Sequence, residues 1–542
     1  MLRLVSSTVG PLAIPSTSAS ASRTVEAYNA GDGALSLKAS SSVSWITATV
    51  GSSRACTTTT SAASCIPIQI SITASSLTAG MSTGIVTVSD PNAVDAPQTI
   101  TVTVQLGGVD LHAAPGGTRD VSISTSSMVT AKATTQDGGS WLTLVLDGTG
   151  SFRFSYPYRI HLAPSSSMSE GVYNGSVSTT SSVAADTLAI PVTMRVTTQP
   201  IAQASPDHLS VRLAQSAPAV SQGITVSNLG QGTLSIASVS ATGSGIAATA
   251  TATGALVSFD PGSLSPGVYA GSVSIATNAA EGTLSIPVSF EVVAKGAPLI
   301  NYQGAVDNGT FTPGDTVARG EVMALMGEQL SFGALTVGQA PPLATTVGGA
   351  TILVNGKTVP MYYSSYGQLA FQMPVDAPIG ANLVQVQRDG LTSNTVSVNV
   401  AERAPRLLLI GTTGYGAIQN AADYSLPMPE GAIPGVSTHP AHPGDTLILY
   451  AIGLGPTNPA VDTGAPAPSA EPFARLTTVP DVSFGVGLFG AKVQPVFAGL
   501  TPTFAGLYQL NVTVPSDTPT GTVNVRLSFP DSVSNSVLIA VQ

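Results

Sequence analysis

Charged side chains are scarce in this chain of 542 residues: they make up 9% of it, and the formal net charge is −10. The 19 lysines and arginines are scattered and form no basic surface that could neutralise the phosphates of a nucleic acid. This argues against nucleic acid, and we predict no such partner. Hydrophobic residues reach 43%, yet no apolar run approaches the ~20 residues of a transmembrane helix, so no transmembrane segment is expected. A chain of this length divides into several domains.

Cysteine is almost absent: the only two, Cys56 and Cys65, bracket the segment "CTTTTSAASC". Their spacing fits neither a CxxC redox pair nor a four-ligand zinc site, which would need further Cys or His nearby. We predict a disulfide that closes this short loop and stabilises its domain by about 2–3 kcal/mol. Two free thiols in a reducing compartment are the alternative. A disulfide indicates an oxidising, extracellular or cell-surface location.

A secretory signal is also missing from the sequence as given. The first residues, "MLRLVSSTVGPLAIPSTSAS", have no continuous apolar segment after Arg3. Either the signal was removed or the chain starts at a domain edge. The second is favoured because a strand-like repeat begins almost at once.

No segment combines long 3.6-residue periodicity with helix-capping signals, so no helix is predicted. Alternating strands dominate instead, as in "QTITVTVQL" (98–106) and "NTVSVNV" (394–400), and turn residues separate them. Asn355-Gly356 lies between two such runs and predicts a type I′ hairpin turn rather than a phosphate-binding loop. The pattern predicts an all-β chain of tandem immunoglobulin-like antiparallel β-sandwich domains.

Internal repeats define the domains of the first half. Three segments share a Gly-x-x-x-Gly followed by a strand: "GMSTGIVTVS" (80–89), "GVYNGSVSTT" (171–180) and "GVYAGSVSIA" (267–276). They are spaced by 91 residues (171 − 80) and 96 residues (267 − 171), about one sandwich domain each. The predicted domains are residues 1–107, which include the cysteine loop, 108–198 and 199–295.

The second half contains a different repeat. "YGQLAFQMPVDAPIG" (366–380) returns as "LYQLNVTVPSDTPTG" (507–521), and "GEVMALMGEQL" (320–330) aligns without gaps with "GDTLILYAIGL" (444–454). A strand, its turn and its closing strand were therefore duplicated as a domain. The two predicted domains are residues 296–402 and 403–542.

Two family resemblances follow from these motifs. The "SWIT" and "SWLT" strands, each followed by the Gly-x-x-x-Gly strand and a closing strand, resemble the BACON family of immunoglobulin-like modules, although the third copy lacks the Trp. "PGDTLILYAIGLGPTNP" (443–459), "AGLYQLNVTVP" (505–515) and "SNSVLIAV" (534–541) resemble the Solibacter-type uncharacterised C-terminal domain of secreted bacterial proteins. The first copy departs at Ala370, where the second has Asn511. The resemblances imply extracellular bacterial modules, with carbohydrate or glycoprotein binding proposed for BACON domains, and neither supplies a catalytic residue.

Aromatic residues make up 5% of the chain, so each cluster is noticeable. Trp45 and Trp141 lie on alternating strands and are predicted to fill the cores of small sandwiches. Exposed rings can stack on the apolar faces of sugars, and the candidates for such contacts occupy related places in the last two domains: Tyr362, Tyr363, Tyr366, Phe504 and Tyr508. Packing in a core or between domains is the alternative.

Candidate chemistry is sparse. Five histidines occur and no Gly-x-Ser-x-Gly elbow accompanies them, so no catalytic residue is predicted. In "STHPAHPGD" (437–445), His439, His442 and Asp445 have zinc-ligand chemistry, but two intervening prolines favour a plain loop. Asp90 and Asp95 lack the DxDxDG spacing of a calcium loop and are typical of turns. We therefore predict no metal and no cofactor.

Three classes of function remain. A non-catalytic extracellular protein for adhesion or for binding a polysaccharide or surface glycoprotein is favoured, because domains were duplicated without any repeated polar constellation. A structural spacer or self-associating module is the alternative, because few lysines protect the strand edges. An accessory part of a secreted glycosidase would need paired carboxylates in a cleft.

Overall fold

The computed structural model describes residues 2–14, 20–31, 33–57, 63–77, 80–90, 93, 97–125, 128–146, 156–182, 186–333, 335–337, 340–433, 435–485 and 491–542. These ranges contain 47 strands, one 3-10 turn (Ala74–Ser76) and no α-helix. None of their segments is a helix long and apolar enough to span a bilayer. Two compact units divide the chain, Met1–Ala294 and Lys295–Gln542.

Three pairs of sheets form the first unit, and together with the second unit they confirm the predicted all-β class of tandem immunoglobulin-like sandwiches. The first pair has the sheet orders β1-β3-β7-β5, with β6 on β7, and β2-β9-β8-β4. Its strands are β1 (Leu2–Leu4), β2 (Thr8–Ile14), β3 (Ser20–Asn29), β4 (Lys38–Ser41), β5 (Ile46–Val50), β6 (Arg54–Ala55), β7 (Ser64–Thr73), β8 (Gly80–Ser89) and β9 (Gln98–Leu106).

The second pair has the orders β10-β16-β15-β12 and β11-β14-β13, and the third has β17-β19-β22-β21 and β18-β24-β23-β20. The strands of the second pair are β10 (Val109–Ala113), β11 (Arg119–Thr125), β12 (Thr130–Thr135), β13 (Leu142–Leu146), β14 (Tyr156–Leu162), β15 (Gly171–Thr180) and β16 (Ala189–Val196). Those of the third are β17 (Ala202–Ser205), β18 (Leu209–Ala214), β19 (Val220–Asn228), β20 (Ile236–Thr242), β21 (Ile246–Thr251), β22 (Gly254–Phe259), β23 (Gly267–Thr277) and β24 (Thr283–Val293).

The second unit contains two larger sheet pairs. In the first, β25-β27-β33-β32-β28 faces β26-β36-β34-β30-β29, with β31 on β30 and β35 on β34. The strands are β25 (Leu299–Asp307), β26 (Val317–Ala318), β27 (Val322–Glu328), β28 (Thr336–Val337), β29 (Thr346–Val347), β30 (Ala350–Val354), β31 (Lys357–Thr358), β32 (Met361–Ser364), β33 (Gln368–Gln372), β34 (Gly380–Arg388), β35 (Leu391–Thr392) and β36 (Val396–Ala401).

The last pair joins β37-β39-β45-β44-β41-β40, with β38 on β39, to β43-β42-β46-β47. Its strands are β37 (Arg406–Leu407), β38 (Ile418–Asn420), β39 (Thr446–Ile452), β40 (Thr457–Asn458), β41 (Arg475–Leu476), β42 (Asp481–Phe484), β43 (Ala491–Val493), β44 (Phe497–Leu500), β45 (Tyr508–Thr513), β46 (Gly521–Ser528) and β47 (Val537–Val541).

The sandwiches are not purely antiparallel, which the alternation pattern did not predict. β2 pairs in parallel with β9, β10 with β16, β18 with β24, and β26 with β36. Two parallel neighbours need a long connection along the chain, and here that connection contains most of the other strands of the sandwich. An early strand of each of these sandwiches thus lies beside its last strand.

Hydrophobic alternation builds separate cores. One core gathers residues between Leu2 and Leu106, another between Val109 and Val196, a third between Ile300 and Val400, and a fourth between Leu407 and Val541. In the part of the chain between Val196 and Ile300, the rings of Phe259 and Phe290 meet edge to face at 5.6 Å, and both side chains are fully buried. The division into five domains remains a prediction, which these separate cores favour.

Local sequence signals are reproduced in the structure. Asn355 (φ 49°) and Gly356 (φ 78°) both adopt the left-handed conformation that a type I′ turn needs, and they join β30 to β31. Cys56 and Cys65 form the expected disulfide. Trp45 and Trp141 are buried in the first two cores, and Trp141 donates a hydrogen bond from Nε1 to Asp137 Oδ1 at 3.1 Å.

Candidate functional site

The aromatic side chains singled out from the sequence do not form one surface. The Tyr362 hydroxyl donates to the carbonyl of Ala505, and burial raises the pKa of Tyr362. Tyr508 is buried and donates to Gly455 O at 2.6 Å, and burial likewise raises its pKa. The hydroxyl groups of these two candidates therefore form hydrogen bonds to backbone carbonyls within the second unit.

The other three candidates are placed differently. Tyr366 is buried and meets Phe332 edge to face at 5.8 Å. Tyr363 is half-buried opposite Ala370 on β33, and Phe504 is 49% exposed. Sugar binding by these rings stays a prediction, and Phe504 presents the largest exposed fraction of the five.

A serine, a histidine and an aspartate do meet, in the loop between β38 and β39. His439 Nε2 lies 2.8 Å from Ser425 Oγ and 2.9 Å from Asp423 Oδ2, while Asp423 Oδ1 accepts the Ser425 hydroxyl at 2.6 Å. In a hydrolytic triad, serine and aspartate contact opposite ring nitrogens. Here both contact the same nitrogen and Ser425 is fully buried, so the cluster fastens the loop.

The histidines considered for zinc do not converge. His439 Nδ1 lies 3.0 Å from the carbonyl of Pro440, and His442 Nδ1 is 3.8 Å from Asp445 Oδ2. Over the described ranges, no group of three or more His, Cys, Asp or Glu side chains is arranged to hold a metal ion. Asp90 is buried and accepts the backbone N–H of Ser36, whereas Asp95 lies outside the described residues.

A cleft of about 170 Å³ opens in the second unit, between its two sheet pairs. Among the described residues that line it, Glu402 supplies the one carboxylate, and this forms an ion pair with Arg319 at 2.9 Å. Gln372 and Tyr508 also line it, and both side chains have protein hydrogen-bond partners. Glycoside hydrolysis uses two carboxyl groups, and this lining supplies one.

The surface with the most suitable residues for binding is the outer face of the sheet that contains β39, β45 and β44. Successive strand residues point to opposite faces. Leu447, Leu449, Leu510 and Val512 face the core, so their neighbours lie on the outer face, where Ile448 is nonetheless buried at 9% exposure. The neighbours form two rows across the strands. One row is Gln419, Ile448, Asn511 and Phe497, and the next is Tyr450, Gln509, Gly499 and Arg475.

We call Gln419, Tyr450, Arg475, Phe497, Gln509 and Asn511 the terminal sheet face. Arg475 is exposed, and the other five members are half-buried.

Two aromatic groups flank this face. On one side, the Arg475 guanidinium lies 5.0 Å from the ring centre of Phe497 and 6.0 Å from that of Phe473, and the two rings meet at 5.9 Å. On the other side, the Tyr450 hydroxyl donates to Gln419 Oε1 at 3.1 Å. Burial, followed by the effect of Tyr424, raises the pKa of Tyr450.

Amide groups occupy the centre. Gln509 Nε2 donates to Asn511 Oδ1 at 2.8 Å. Gln509 Oε1 and Asn511 Nδ2 make no hydrogen bond to the described part of the chain, and both side chains are only half-buried. An unused acceptor and an unused donor therefore lie side by side between the aromatic groups.

The equivalent face of the preceding repeat differs in composition and is partly covered. Ala324 and Ala370 stand where Ile448 and Asn511 stand in the last repeat. Gln372 on the same face accepts the backbone N–H of Gly464 at 2.6 Å, so a loop of the last repeat covers it. In the sequence, the difference between Ala370 in the first copy and Asn511 in the second is the one signal that falls on the terminal sheet face.

Known proteins do not identify the chain. No protein-family model matches the sequence, and no curated protein matches it. Among solved structures, the endo-fucoidan hydrolase MfFcnA4 of glycoside hydrolase family 107 aligns with 12% identity and a TM-score of 0.16, over 55% of this chain and 43% of that one. The chain thus spans less than half the length of that hydrolase.

Two assemblies of immunoglobulin domains align similarly. Sidekick-1 domains 1–4 align with 13% identity and a TM-score of 0.17, over 80% of this chain and 97% of that one. An I-band fragment of titin aligns with 12% identity and a TM-score of 0.15, over 55% and 96%. Similarity at this level carries no argument about function.

Proposed function

We propose that this is a non-catalytic extracellular protein that binds carbohydrate through the terminal sheet face. The observation that carries the proposal is the row geometry: aromatic side chains on β39 and β44 flank the paired amides of β45. Aromatic rings stack on the apolar faces of sugars, and planar amides match neighbouring hydroxyls as donor and acceptor.

Three further points support the proposal. The disulfide is compatible with an oxidising compartment. Tandem domains can each contribute a weak contact, and linked weak contacts give an avidity above that of one domain. The BACON and Solibacter-type resemblances point to secreted bacterial modules, and they stay part of this proposal.

A first experiment measures retention of the full chain on insoluble polysaccharides and on a glycan array. The Tyr450→Ala/Phe497→Ala variant should lose roughly 5- to 150-fold in affinity, because two stacking contacts of about 0.5–1.5 kcal/mol each are removed. Tyr302→Ala is the control, because Tyr302 is a more accessible ring, at 50% exposure, that lies in the preceding repeat and outside the terminal sheet face. The sequence-based candidate Phe504 is tested alongside as Phe504→Ala. Equal binding by wild type and the double variant would contradict the proposal.

A self-associating spacer remains the second candidate, and one observation favours it. β21 ends its sheet, and its residues "IAATAT" contain no charged side chain or proline to protect the edge. Sedimentation velocity over a range of concentrations separates the candidates, because a spacer of this kind forms oligomers without ligand. A Thr249→Lys substitution on β21 should abolish such oligomers.

A further inference from the structure

The distance between the aromatic groups of the terminal sheet face sets the size of its ligand. Tyr450 on β39 and Phe497 on β44 are separated by β45, which places them two inter-strand spacings, or about 10 Å, apart across the sheet. They are also offset by two residues along the strands. This centre-to-centre separation is roughly the length of a disaccharide unit, so it joins sugar rings two positions apart. A run of at least three sugars is therefore needed to contact both aromatic side chains.

The amide side chains between the two aromatic rings determine which chemical groups of a ligand can lie opposite them. Gln509 Oε1 accepts and Asn511 Nδ2 donates, and neither is used within the described residues. Gln419 Oε1 already accepts from Tyr450, which fixes the orientation of that ring. Hydroxyl groups can both donate and accept, so a hydroxyl-rich chain satisfies both amides, whereas an apolar partner would leave them unpaired.

Charge on this surface favours an uncharged ligand. The cation of the terminal sheet face is Arg475, and its Nη2 pairs with Glu471 Oε1 at 2.8 Å. Its guanidinium also packs against two rings. Uronate or sulfate groups would have to compete with Glu471 for this cation and would approach a chain of net charge −10.

The position of the residues indicates how a polymer would pass. Except for Gln419, whose strand β38 pairs with β39 alone among the described strands, they belong to strands in the interior of the sheet. None of them lines the cleft of the second unit. A flat, multi-residue surface contacts the middle of a chain, whereas recognition of a chain end requires a concave site.

We infer that the terminal sheet face binds an internal segment of an uncharged linear polysaccharide, which crosses the strands with sugar rings on Tyr450 and Phe497. The inference rests on the proposed function and narrows its ligand class. Hydrogen bonds from Gln509 and Asn511 select the hydroxyls of the sugars between the two rings.

Affinity electrophoresis of the full chain tests the inference, with gels containing β-glucan, glucomannan, galactomannan, alginate or polygalacturonate. We expect retardation by a neutral polymer, and retardation should persist in about 0.5 M NaCl because no ion pair is involved. Titration calorimetry with oligosaccharides of the retarding polymer should show affinity rising from the disaccharide to the tetrasaccharide. Tyr450→Ala and Phe497→Ala should each weaken binding by roughly 2- to 10-fold, and Tyr450→Phe, which keeps the ring, should weaken it less.

The outcomes separate the inference from the proposed function. Retardation by acidic polymers alone, lost in salt and in Tyr450→Ala, would overturn the inference and leave the proposed function standing. Affinity for the disaccharide equal to that for longer chains would also overturn the inference, because the bound segment would then not extend from Tyr450 to Phe497. No retardation by any polymer, or retardation unchanged in Tyr450→Ala and Phe497→Ala, would overturn both. Unaltered melting of each variant shows that a loss of binding is local.

Discussion

At the residue scale, the carboxyl group of Glu321 lies in an unusual environment. Its side chain is completely buried; Oε2 accepts the backbone N–H of Ala318, and Oε1 has no hydrogen-bond partner in the described part of the chain. Burial raises the pKa of Glu321 well above its usual range, the hydrogen bond from Ala318 opposes this, and buried Asp307 adds to it. Arg406 offsets only part of the effect. Glu321 is therefore held in its neutral form beyond the pH at which an exposed glutamate ionises.

A Glu321→Gln substitution should make stability less dependent on pH. Because the folded-state pKa is raised, the stability contribution of neutral Glu321 is complete below the ordinary glutamate pKa and is lost as the pH rises through the folded value. We expect the variant to match wild type near pH 4 and to be the more stable of the two at pH 8, because the glutamine amide does not ionise whereas wild type has lost the contribution of neutral Glu321. Urea unfolding at both pH values measures this difference.

The matched control is Glu402→Gln, which neutralises a carboxylate that is 49% exposed and paired with Arg319. An exposed ion pair contributes little, so this control should follow wild type at both pH values. A Glu321→Gln profile parallel to that of wild type would show that Glu321 is ionised in the fold.

At the element scale, strand identity follows from alternation, and strand partners follow from packing. The Cys56–Cys65 disulfide reinforces one such strand pair. Cys65 lies on β7 and pairs with Arg54 on β6, so the disulfide closes a loop that this pair already brings together. Cross-linking such a loop restricts the unfolded chain and stabilises the sheet that contains it.

The Cys56→Ser/Cys65→Ser variant should lower the stability of the first sandwich by about 2–3 kcal/mol, as expected for a short closed loop. Differential scanning calorimetry of the full chain should show one transition moved to lower temperature and the remainder unchanged. A reductant should move the same transition in wild type and have no effect on the variant. If the transition stays in place without the bridge, the loop is held by its strand contacts alone.

At the scale of the whole molecule, the chain divides between Ala294 and Lys295. In the second unit, the two repeats share more than a linker. The loop of the last repeat donates Gly464 N–H to Gln372 and Thr463 Oγ1 accepts the N–H of Val375 at 3.0 Å, while Tyr362 donates to Ala505. These bonds predict that the second unit folds as one body made of two cores.

Separate expression of residues 1–294 and 295–542 should give two folded fragments, and residues 295–542 should melt in one cooperative transition. A fragment of residues 295–402 is the control: it leaves Gln372 without Gly464 and Tyr362 without Ala505, and it should melt at lower temperature than residues 295–542. Thermal unfolding followed by near-ultraviolet circular dichroism measures all three. Equal melting of residues 295–402 and 295–542 would show that the repeats are independent.

The sequence by itself determined the all-β class, the sandwich repeats, the Asn355-Gly356 turn and the disulfide, because alternation, turn chemistry and cysteine spacing are local properties. It also indicated aromatic side chains as candidate ligand-binding residues, but two of those it indicated, Tyr366 and Tyr508, are buried in the fold. Which rings lie together depends on strand register across the sheet, and register places Tyr450, Phe497 and Asn511 on one face although 61 residues separate Tyr450 from Asn511 (511 − 450). Only the tertiary structure decided this, because hydrogen bonding between distant strands, and not sequence proximity, sets the rows of a sheet.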